Sequence, residues 1–243
     1  MNTYELQTTT IWSFPERGNW ATHKGDYRGN WSPHIPKNLI LKYTKPEDTV
    51  LDCFLGSGTT LIECKLLNRN GIGVDINPDA IKIAKQRLSF NVSNKSNQTV
   101  YNANSKHLDM ISDDSVDFIC THPPYADIIK YSDSLANDLS LLDYNIFLKE
   151  FKSVAKELYR VLKPNHYCSF MIGDIRKQGC VRPLGFESMQ LFVDVGFQLK
   201  EIIIKEQHNC KSTPYWKNKS KQLNFYLLAH EYIFVFYKWL VKN

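Results

Sequence analysis

The sequence predicts an α/β protein in which a mostly parallel sheet is covered by helices. Short apolar segments of strand composition alternate with longer segments whose apolar residues recur at helical spacing. Several strand segments end in glycine or in a polar residue, which is typical of the ligand-binding edge of such a sheet. The last two strand segments, 197–205 and 231–238, have no helical pattern between them, and this predicts an antiparallel pair.

Length and composition predict a single domain over residues 1–243. The chain is 43% hydrophobic, and its net charge of +5 is a mild basic bias that suits an anionic partner. Its six cysteines are scattered without a Cys-x-x-Cys pair, as is typical of a reduced intracellular protein. The N-terminus is polar, and no apolar run reaches the roughly 18 residues of a membrane span. These features predict a cytoplasmic protein without a membrane partner.

The first half of the chain predicts four strands and three helices. One helix, over 36–43, has a proline at its start and its apolar residues on one face. Another, over 78–88, also begins with proline, after an asparagine. The predicted strands cover 49–54, 71–75, 99–102 and 116–120, and a third helix runs from the glycine turn after the first strand to Leu67.

The second half predicts two helices and three strands. The helix over 144–162 carries a clear apolar stripe and is expected to end at Lys163-Pro164-Asn165. The helix over 186–195 is closed by Gly196. The predicted strands cover 167–172, 197–205 and 231–238.

A Gly-x-Gly turn follows the first strand and opens a helix. Gly56 and Gly58 let the backbone approach a ligand, and the helix N-terminus offers N–H groups to it. The spacing is neither G-x-G-x-x-G nor that of a Walker A loop, so pyrophosphate binding is not favoured. Asp52, at the strand end, places a carboxylate where a ligand ammonium can sit. Asp75 is spaced to bind ribose hydroxyls, and Asn104 is placed to meet an adenine edge.

The fourth strand ends in Thr121-His-Pro-Pro-Tyr125. Each proline fixes its own φ and biases the preceding residue toward extended geometry, so we expect a stiff arm here. The prolines lack N–H groups, their carbonyls are natural acceptors, and Tyr125 adds a flat ring. A stiff carbonyl, a polar side chain and a ring can together hold a planar group that carries an –NH₂. Taken alone, the same residues equally fit a tight loop with a core tyrosine.

Two segments interleave basic and aromatic residues: the aromatic arm, residues 1–33, and the basic segment, residues 206–226. Neither shows a period of 2 or 3.6, so the arm is predicted to be irregular and the basic segment to be a loop. Such composition suits nucleic acid, because phosphates take the charge and bases stack on rings. Alternatively, the arm's tryptophans cover the core edge and the basic segment is a solvated charged loop. The candidate nucleic-acid contacts are Arg17, Trp20, Arg28, Lys217, Lys219 and Lys221.

Three motifs together resemble the cofactor and catalytic motifs of S-adenosylmethionine-dependent amino-methyltransferases of DNA. They are Asp52-Cys-Phe-Leu-Gly-Ser-Gly-Thr-Thr60, Gly73-Val-Asp-Ile-Asn-Pro78 and Thr121-His-Pro-Pro-Tyr125. His34-Ile-Pro36 resembles the N-terminal motif of the same family. The resemblance spans residues 34–173. It implies a class I Rossmann-like methyltransferase fold, with a seven-stranded, mostly parallel sheet that contains one antiparallel strand.

The resemblance implies S-adenosylmethionine as the cofactor, and no His/Cys cluster suggests a metal site. At the position of Asn104, which is implied to contact adenine, the family often has Asp. The positions implied to bind the cofactor are His34, Pro36, Asp52, Phe54, Gly56, Ser57, Gly58, Thr59, Thr60, Asp75, Ile76, Asn104 and Thr121. Those implied to hold the target base are His122, Pro123, Pro124 and Tyr125.

The chemistry of amino-group methylation fits the residues that are implied to hold the target base. An exocyclic amino nitrogen is a poor nucleophile, because its lone pair is delocalised into the ring. The His122 side chain and the Pro123 carbonyl can bind both N–H groups and favour a pyramidal nitrogen whose lone pair faces the sulfonium methyl group. Positioning of this kind supplies much of the rate. By the resemblance, Tyr125 stacks on a base flipped out of the duplex.

His122 departs from the family pattern. The family usually has Asp or Asn here in adenine-N6 enzymes and Ser in cytosine-N4 enzymes, and Thr121 leans slightly toward the cytosine form. A neutral histidine accepts at one ring nitrogen only if the other holds the proton. It can also take up the released proton. The departure leaves the identity of the base open, but not the class of reaction.

The expected activity is site-specific methylation of double-stranded DNA at cytosine N4 or adenine N6. The expected enzyme is a monomer or dimer, with a cognate restriction endonuclease as a functional partner. One alternative is an RNA amino-methyltransferase acting on guanine N2 or adenine N6, since related Pro-Pro-Tyr enzymes modify RNA. The other is a non-catalytic nucleic-acid-binding subunit that has kept the fold.

Overall fold

The computed structural model describes residues 4–209 and 213–240, and an eight-stranded mixed sheet forms its centre. The strands of this sheet are β1 (Ile11–Trp12), β2 (Thr49–Asp52), β3 (Asn70–Asp75), β4 (Gln98–Asn102), β5 (Val116–Thr121), β6 (Leu162–Ile172), β9 (Gln198–Glu206) and β10 (His230–Lys238). A separate hairpin is made by β7 (Ile175–Lys177) and β8 (Cys180–Arg182). The helices are α1 (His34–Tyr43), α2 (Thr59–Leu66), α3 (Pro78–Arg87), α4 (Tyr144–Val161), α5 (Leu184–Val195) and α6 (Thr213–Leu223).

The strand order is β1-β9-β10-β6-β5-β2-β3-β4. Strand β10 runs antiparallel to both of its neighbours, and the other pairings are parallel. The predicted α/β class with one antiparallel strand is therefore confirmed. The eighth strand, β1, adds two residues of the aromatic arm to the sheet edge beside β9. Because parallel strands share a carboxyl edge, the polar residues that follow β2, β3, β4 and β5 meet there.

Each strand places alternate residues on opposite faces of the sheet. In β5, Ile119 packs in the cluster of α4 and α5 that contains Phe151 and Phe192. Phe118, its neighbour, packs on the opposite face with Leu39 of α1. This two-layer burial holds β5 rigidly, so the Thr-His-Pro-Pro-Tyr segment leaves a fixed support.

The basic segment was predicted as a loop, and this prediction was wrong, because it contains α6. Pro214 lies in the first turn, where a helix tolerates proline, and neither glycine nor proline follows before Leu223. None of the side chains of α6 is buried. An apolar stripe at helical spacing arises when a helix packs on a core, so a helix without such packing shows no stripe in its sequence.

Other predicted boundaries differ by a few residues. Helix α1 begins at His34 rather than at residue 36, and α5 begins at Leu184 rather than at residue 186. The predicted break at 163–165 does not separate α4 from the next strand, because Leu162 is already extended and begins β6. No helix within residues 4–209 and 213–240 combines the length and the apolar character that a membrane span needs.

Candidate active site

A cleft, called here the main cleft, lies at the carboxyl edge of the sheet, over the ends of β2 and β3. Six segments contribute its walls: the turn after β2, the end of β3, the end of β4, the arm, the segment after β5, and the loop that leads to α4. The lining residues are Tyr27, Gly29, Asn30, Trp31, Asp52, Cys53, Phe54, Leu55, Gly56, Ser57, Thr59, Asp75, Ile76, Asn77, Asn104, Ser105, His122, Pro124, Tyr131, Asn137, Asp138 and Leu139.

The turn after β2 is shaped by its two glycines. Gly58 caps α2 with φ of +89°, a left-handed conformation that a side chain would strain, and a Cβ there would also crowd Ala84 at 3.3 Å. Gly56 has φ of +50°, and its N–H donates to Oδ2 of Asp75 at 2.8 Å. The turn is thereby tied to the end of β3, and Gly56 faces the cleft.

Asp75 is oriented entirely by backbone groups. Its Oδ2 accepts from Gly56, and its Oδ1 accepts from the N–H of Asn77 at 2.9 Å. Burial raises the pKa of Asp75, while the bonds from Asn77 and Gly56 oppose that rise. Each carboxylate oxygen has a second lone pair, so a ligand hydroxyl in the cleft can still donate to it.

Asp52 forms a buried cluster with two threonines. Its Oδ1 accepts from Oγ1 of Thr121 at 2.7 Å, and its Oδ2 accepts from Oγ1 of Thr60 at 2.5 Å. The N–H of Phe54 also donates to Oδ1, at 3.1 Å. Burial raises the pKa of Asp52 to about 6, although these hydrogen bonds lower it. Through Asp52, Thr60 and Thr121 thus connect α2 and the end of β5 to the end of β2, and neither threonine lines the main cleft.

The polar atoms in the main cleft that are available to a ligand suit a nucleoside that carries an amino-acid group. Oγ of Ser57 is buried and has no hydrogen-bond partner among the residues that the structure describes. Oδ1 of Asn104 accepts from the N–H of Lys106, so the amide –NH₂ of Asn104 is the group left for a ligand. With Asp52 and Asp75, the cleft therefore offers two carboxylates, a hydroxyl and an amide to S-adenosylmethionine.

The aromatic arm closes one side of the main cleft, a role that the sequence did not reveal. Asn30 accepts from Oγ1 of Thr59 at 2.5 Å, and Trp31 is almost fully buried. The guanidinium of Arg17 holds this part in place by donating to the carbonyls of Asn30 and Trp31, at 3.1 and 2.5 Å. The indole N–H of Trp20 donates to Oε1 of the buried Glu63 at 2.7 Å. Arg17 and Trp20 therefore have structural contacts, which the alternative interpretation of the arm anticipated in part.

The N-terminal motif lies outside the main cleft. The ring of His34 stacks on Phe14 with centroids 5.0 Å apart and meets Trp20 edge-on at 4.8 Å. Tyr4 and Nδ1 of His34 are hydrogen-bonded at 3.1 Å. His34 and Pro36 do not line the main cleft, nor does Gly58. Their contact with the cofactor stays a prediction, and in this structure His34 anchors the arm.

A second cavity, called here the base-side cavity, adjoins the main cleft. Five residues line both cavities: Gly29, Asn30, Trp31, His122 and Tyr131. The ring of Trp31 stacks on that of His122, with centroids 5.3 Å apart and planes 16° apart. The other residues that line the base-side cavity are Phe14, Pro15, Arg17, Ser32, Tyr125, Ile129, Met171, Lys205, Gln207, His208, Asn209 and Glu231. His122 therefore stands at the junction of two cavities.

The catalytic candidates are brought together around His122. Nε2 of His122 lies 2.9 Å from the hydroxyl oxygen of Tyr125, and that hydroxyl donates to Oε1 of Glu231 at 2.7 Å. Burial lowers the pKa of His122 to about 4, against the opposing charge of Glu231, so the imidazole is neutral at physiological pH. Pro124 lines the main cleft, and Pro123 is buried beside it.

Sequence reasoning missed Glu231, Lys205 and Tyr131. Lys205 directly follows the apolar run 202–204 and Glu231 directly precedes the apolar run 232–237, and a charge in such a place was the available signal. Tyr131 belongs to the long connection between β5 and α4, and long connections are often functional.

Apart from Arg17 and Trp20, the predicted nucleic-acid contacts lie on the arm and on α6. Arg28 is exposed on the arm near the mouth of the main cleft, beside Tyr27. Lys217 and Lys221 are exposed on α6, and Nζ of Lys219 lies 5.9 Å from the ring centroid of Tyr215. Tyr215, Trp216 and Tyr226 are exposed as well. The basic segment therefore carries both basic and aromatic side chains that are exposed, and their contact with nucleic acid stays a prediction.

A family model described as DNA methylase matches residues 1–86 and 116–242. The Type II methyltransferase M.HpaI of Haemophilus parainfluenzae is 52% identical over 87 residues, which are 33% of this chain and 26% of that protein. The Type II methyltransferase M.MthZI of Methanothermobacter thermautotrophicus is 27% identical over 162 residues, 59% of this chain and 45% of that protein. The chain thus matches less than half the length of either relative.

Solved structures share the fold at low sequence identity. A SAM-dependent methyltransferase from Methanosarcina mazei superposes with a TM-score of 0.57 at 19% identity, covering 83% of this chain and 98% of that one. TrmN from Thermus thermophilus superposes with a TM-score of 0.56 at 16% identity, covering 87% of this chain and 50% of that one. The predicted Rossmann-like methyltransferase fold is confirmed.

Proposed function

We propose that this chain, which belongs to the DNA methylase family and has the fold of S-adenosylmethionine-dependent methyltransferases, methylates an exocyclic amino group of a base in duplex DNA. The target is cytosine N4 or adenine N6. The observation that carries the proposal is the position of His122 at the junction of the main cleft and the base-side cavity. A base in the second cavity can present its amino group to a methyl donor in the first.

S-adenosylmethionine is the cofactor that the family and fold imply, and the main cleft suits it. Asp52 would meet its ammonium group, Asp75 its ribose hydroxyls, and Asn104 its adenine edge. Ser57 offers an unsatisfied hydroxyl to the same ligand. When bound, S-adenosylmethionine supplies an electrophilic sulfonium methyl group, which the amino nitrogen takes while the carbon–sulfur electron pair stays on sulfur.

His122 and the Pro123 carbonyl prepare the amino group. Each accepts one N–H, which favours a pyramidal nitrogen and frees its lone pair. The nitrogen must lose one proton when the new N–C bond forms, and the neutral His122 imidazole takes it and later releases it to water. The negative charge of Glu231, bonded to the Tyr125 hydroxyl, stabilises the imidazolium during this step.

We also propose that α6 grips the DNA backbone. Gln207 and Asn209 line the base-side cavity directly after β9, and α6 begins a few residues later in the sequence, at Thr213. Lys217, Lys219 and Lys221 can then contact phosphates next to a flipped base. A cognate restriction endonuclease remains our proposed functional partner.

The test is incubation of the purified chain with duplex DNA or with RNA at one salt concentration, in the presence of S-adenosylmethionine carrying a labelled methyl group. Mass spectrometry of the digested nucleosides should find labelled N4-methylcytosine or N6-methyladenine from DNA. Label confined to RNA would favour the RNA amino-methyltransferase. Label in neither, from protein that binds the cofactor in calorimetry, would favour a non-catalytic subunit.

A further inference from the structure

Four side chains form a hydrogen-bonded chain along the base-side cavity. Nζ of Lys205 lies 2.9 Å from Oε2 of Glu231, and Oε1 of Glu231 accepts from the Tyr125 hydroxyl at 2.7 Å. The Tyr125 oxygen in turn lies 2.9 Å from Nε2 of His122. Three separate parts of the sequence, β9, β10 and the segment after β5, supply these groups.

The ionisation of Glu231 fixes the direction of the hydrogen bonds. Burial raises the pKa of Glu231, but Lys205, His122 and Tyr125 lower it by more, so the carboxylate is ionised at neutral pH. An ionised carboxylate only accepts, so the single hydroxyl proton of Tyr125 points to Glu231. The Tyr125 oxygen then faces His122 as an acceptor, and Nε2 of His122 must carry the proton.

The proton on Nε2 determines the hydrogen-bonding role of Nδ1, the other ring nitrogen of His122. A neutral imidazole has one N–H, so with the proton on Nε2 the Nδ1 atom is an acceptor. Nδ1 hydrogen-bonds to none of the residues in the described ranges 4–209 and 213–240, and the imidazole lines both cavities. At this junction, Nδ1 can accept a hydrogen bond from one N–H of the target amino group.

We propose that Lys205 and Glu231 are positioning residues that act through the Tyr125 hydroxyl to hold His122 in its Nε2–H tautomer, which leaves Nδ1 to accept from the amino group of the target base. This inference rests on the proposed function for the identity of the group that Nδ1 binds. It also assigns a second task to Tyr125, beyond the stacking of its ring on the base.

The fold builds this chain of side chains into its framework. Glu231 and Lys205 are directly opposite each other in the β9–β10 register, an arrangement in which opposite charges attract across neighbouring strands. Gly173, after β6, leaves room for the Tyr125 ring, since a Cβ there would lie 3.1 Å from Cε2 of Tyr125 and 3.4 Å from Cγ of Glu231. Trp31 stacks on His122 and fixes the plane of its ring.

Two variants separate this role from stacking alone. Tyr125→Phe keeps the ring but removes the hydroxyl, so neither tautomer of His122 is held. The double variant Glu231→Leu/Lys205→Met removes both charges together and leaves neither one buried without a partner. The Tyr125 hydroxyl, without its carboxylate, then donates to Nε2 of His122 and moves the imidazole proton to Nδ1.

The direct measurement is long-range proton–nitrogen NMR of the ¹⁵N-labelled protein, with the His122 signals identified from their loss in His122→Gln. The wild type should show Nε2 protonated and Nδ1 unprotonated. Tyr125→Phe should show averaged nitrogen shifts, and the double variant should show Nδ1 protonated. A wild-type His122 protonated on Nδ1, or a tautomer unchanged in both variants, would overturn the proposal.

Kinetics provide the second readout. The double variant should lower kcat for DNA methylation by roughly tenfold to a hundredfold, because Nδ1 changes from an acceptor to a misplaced donor. Tyr125→Phe should lower kcat by a smaller factor of about two to ten, because only part of its His122 has the wrong tautomer. Calorimetric affinity for S-adenosylmethionine and the circular dichroism spectrum should be unchanged. The matched controls are Tyr237→Phe, which loses a hydroxyl bonded to Asn165 at 3.0 Å, and Lys200→Met, an exposed lysine of the same strand as Lys205.

The outcomes keep the two proposals apart. Wild-type kcat in Tyr125→Phe would show that the ring alone suffices and would overturn the positioning role. Absence of methylation on any nucleic acid by a wild type with the Nε2–H tautomer would remove the proposed function while supporting the tautomer assignment. DNA methylation by a wild type with the opposite tautomer would remove the positioning role alone.

Discussion

The two cavities of the candidate active site are held together in different ways. In the main cleft, the carboxylates expected to bind the cofactor are held by groups in the turn after β2, in α2 and at the ends of β3 and β5, as in the bonds of Asp75 with Gly56 and of Asp52 with Thr121. In the base-side cavity, His122 depends on Glu231, whose bond to Tyr125 spans 106 residues. Cofactor binding should therefore tolerate changes in β9 and β10, whereas the alignment of the base should not.

The largest effect is expected on the base side. His122→Ala removes both the hydrogen-bond acceptor for the target amino group and the group that takes up the released proton. We therefore expect kcat to fall by about 10²–10³-fold, as when one preorganised catalytic group is lost. Affinity for S-adenosylmethionine, measured by calorimetry, should change little. A comparable loss of cofactor affinity in His122→Ala would contradict the expectation that the main cleft binds the cofactor independently of the base-side cavity.

The next effect is expected on the cofactor side. Asp75→Asn should weaken S-adenosylmethionine binding by about tenfold to a hundredfold, because hydrogen bonds to a charged group contribute about 1.5–3 kcal/mol each. At saturating cofactor, kcat should stay close to that of the wild type. Asp79→Asn, an exposed acid at the start of α3, is the matched control and should bind normally. Normal binding by Asp75→Asn would contradict the ribose assignment.

Some residues of the candidate active site could be predicted from the sequence, and others could not. The glycine turn, Asp75 and the Pro-Pro-Tyr segment were predictable because each belongs to a short motif that a few consecutive residues define. Glu231 and Lys205 were not, because strand register, which places them opposite each other, is set by the whole sheet. Asn30 and Trp31 were missed as cleft residues since nothing periodic marks the fold of the arm.

The pH dependence should sharpen the comparison. The pKa of Asp52 is raised to about 6, so this group takes up a proton as pH falls through 6 and loses the charge that would attract an ammonium. Cofactor affinity should then drop roughly tenfold by pH 5, in proportion to the ionised fraction. His122, with its pKa lowered to about 4, should remain neutral over the same range.

Initial rates at saturating cofactor, measured from pH 5 to pH 8, test this difference. They should show no loss near pH 6.5, where an ordinary histidine becomes protonated. A loss of kcat centred near 6.5 would mean that His122 titrates normally and would contradict its desolvated position.

The smallest effect on the chemistry is expected from α6. Replacing Lys217, Lys219 and Lys221 with Gln should reduce the slope of log binding constant against log salt by up to about 2.7, if each contacts one phosphate of duplex DNA. Binding should be measured at several salt concentrations, with kcat unchanged at saturating DNA. Replacing Lys82, Lys149 and Lys156, which lie on α3 and α4, removes the same charge elsewhere. Equal slopes for both triple variants would argue against α6 as the DNA-binding surface.

The most direct test of the account is nucleoside mass spectrometry on genomic DNA from cells that express this chain, compared with cells that express His122→Ala. We predict N4-methylcytosine or N6-methyladenine with the wild type and neither with His122→Ala, although both purified proteins bind S-adenosylmethionine equally. DNA that carries neither mark in cells that contain folded, cofactor-binding wild-type protein would contradict the claim that His122 joins a cofactor cleft to a base cavity.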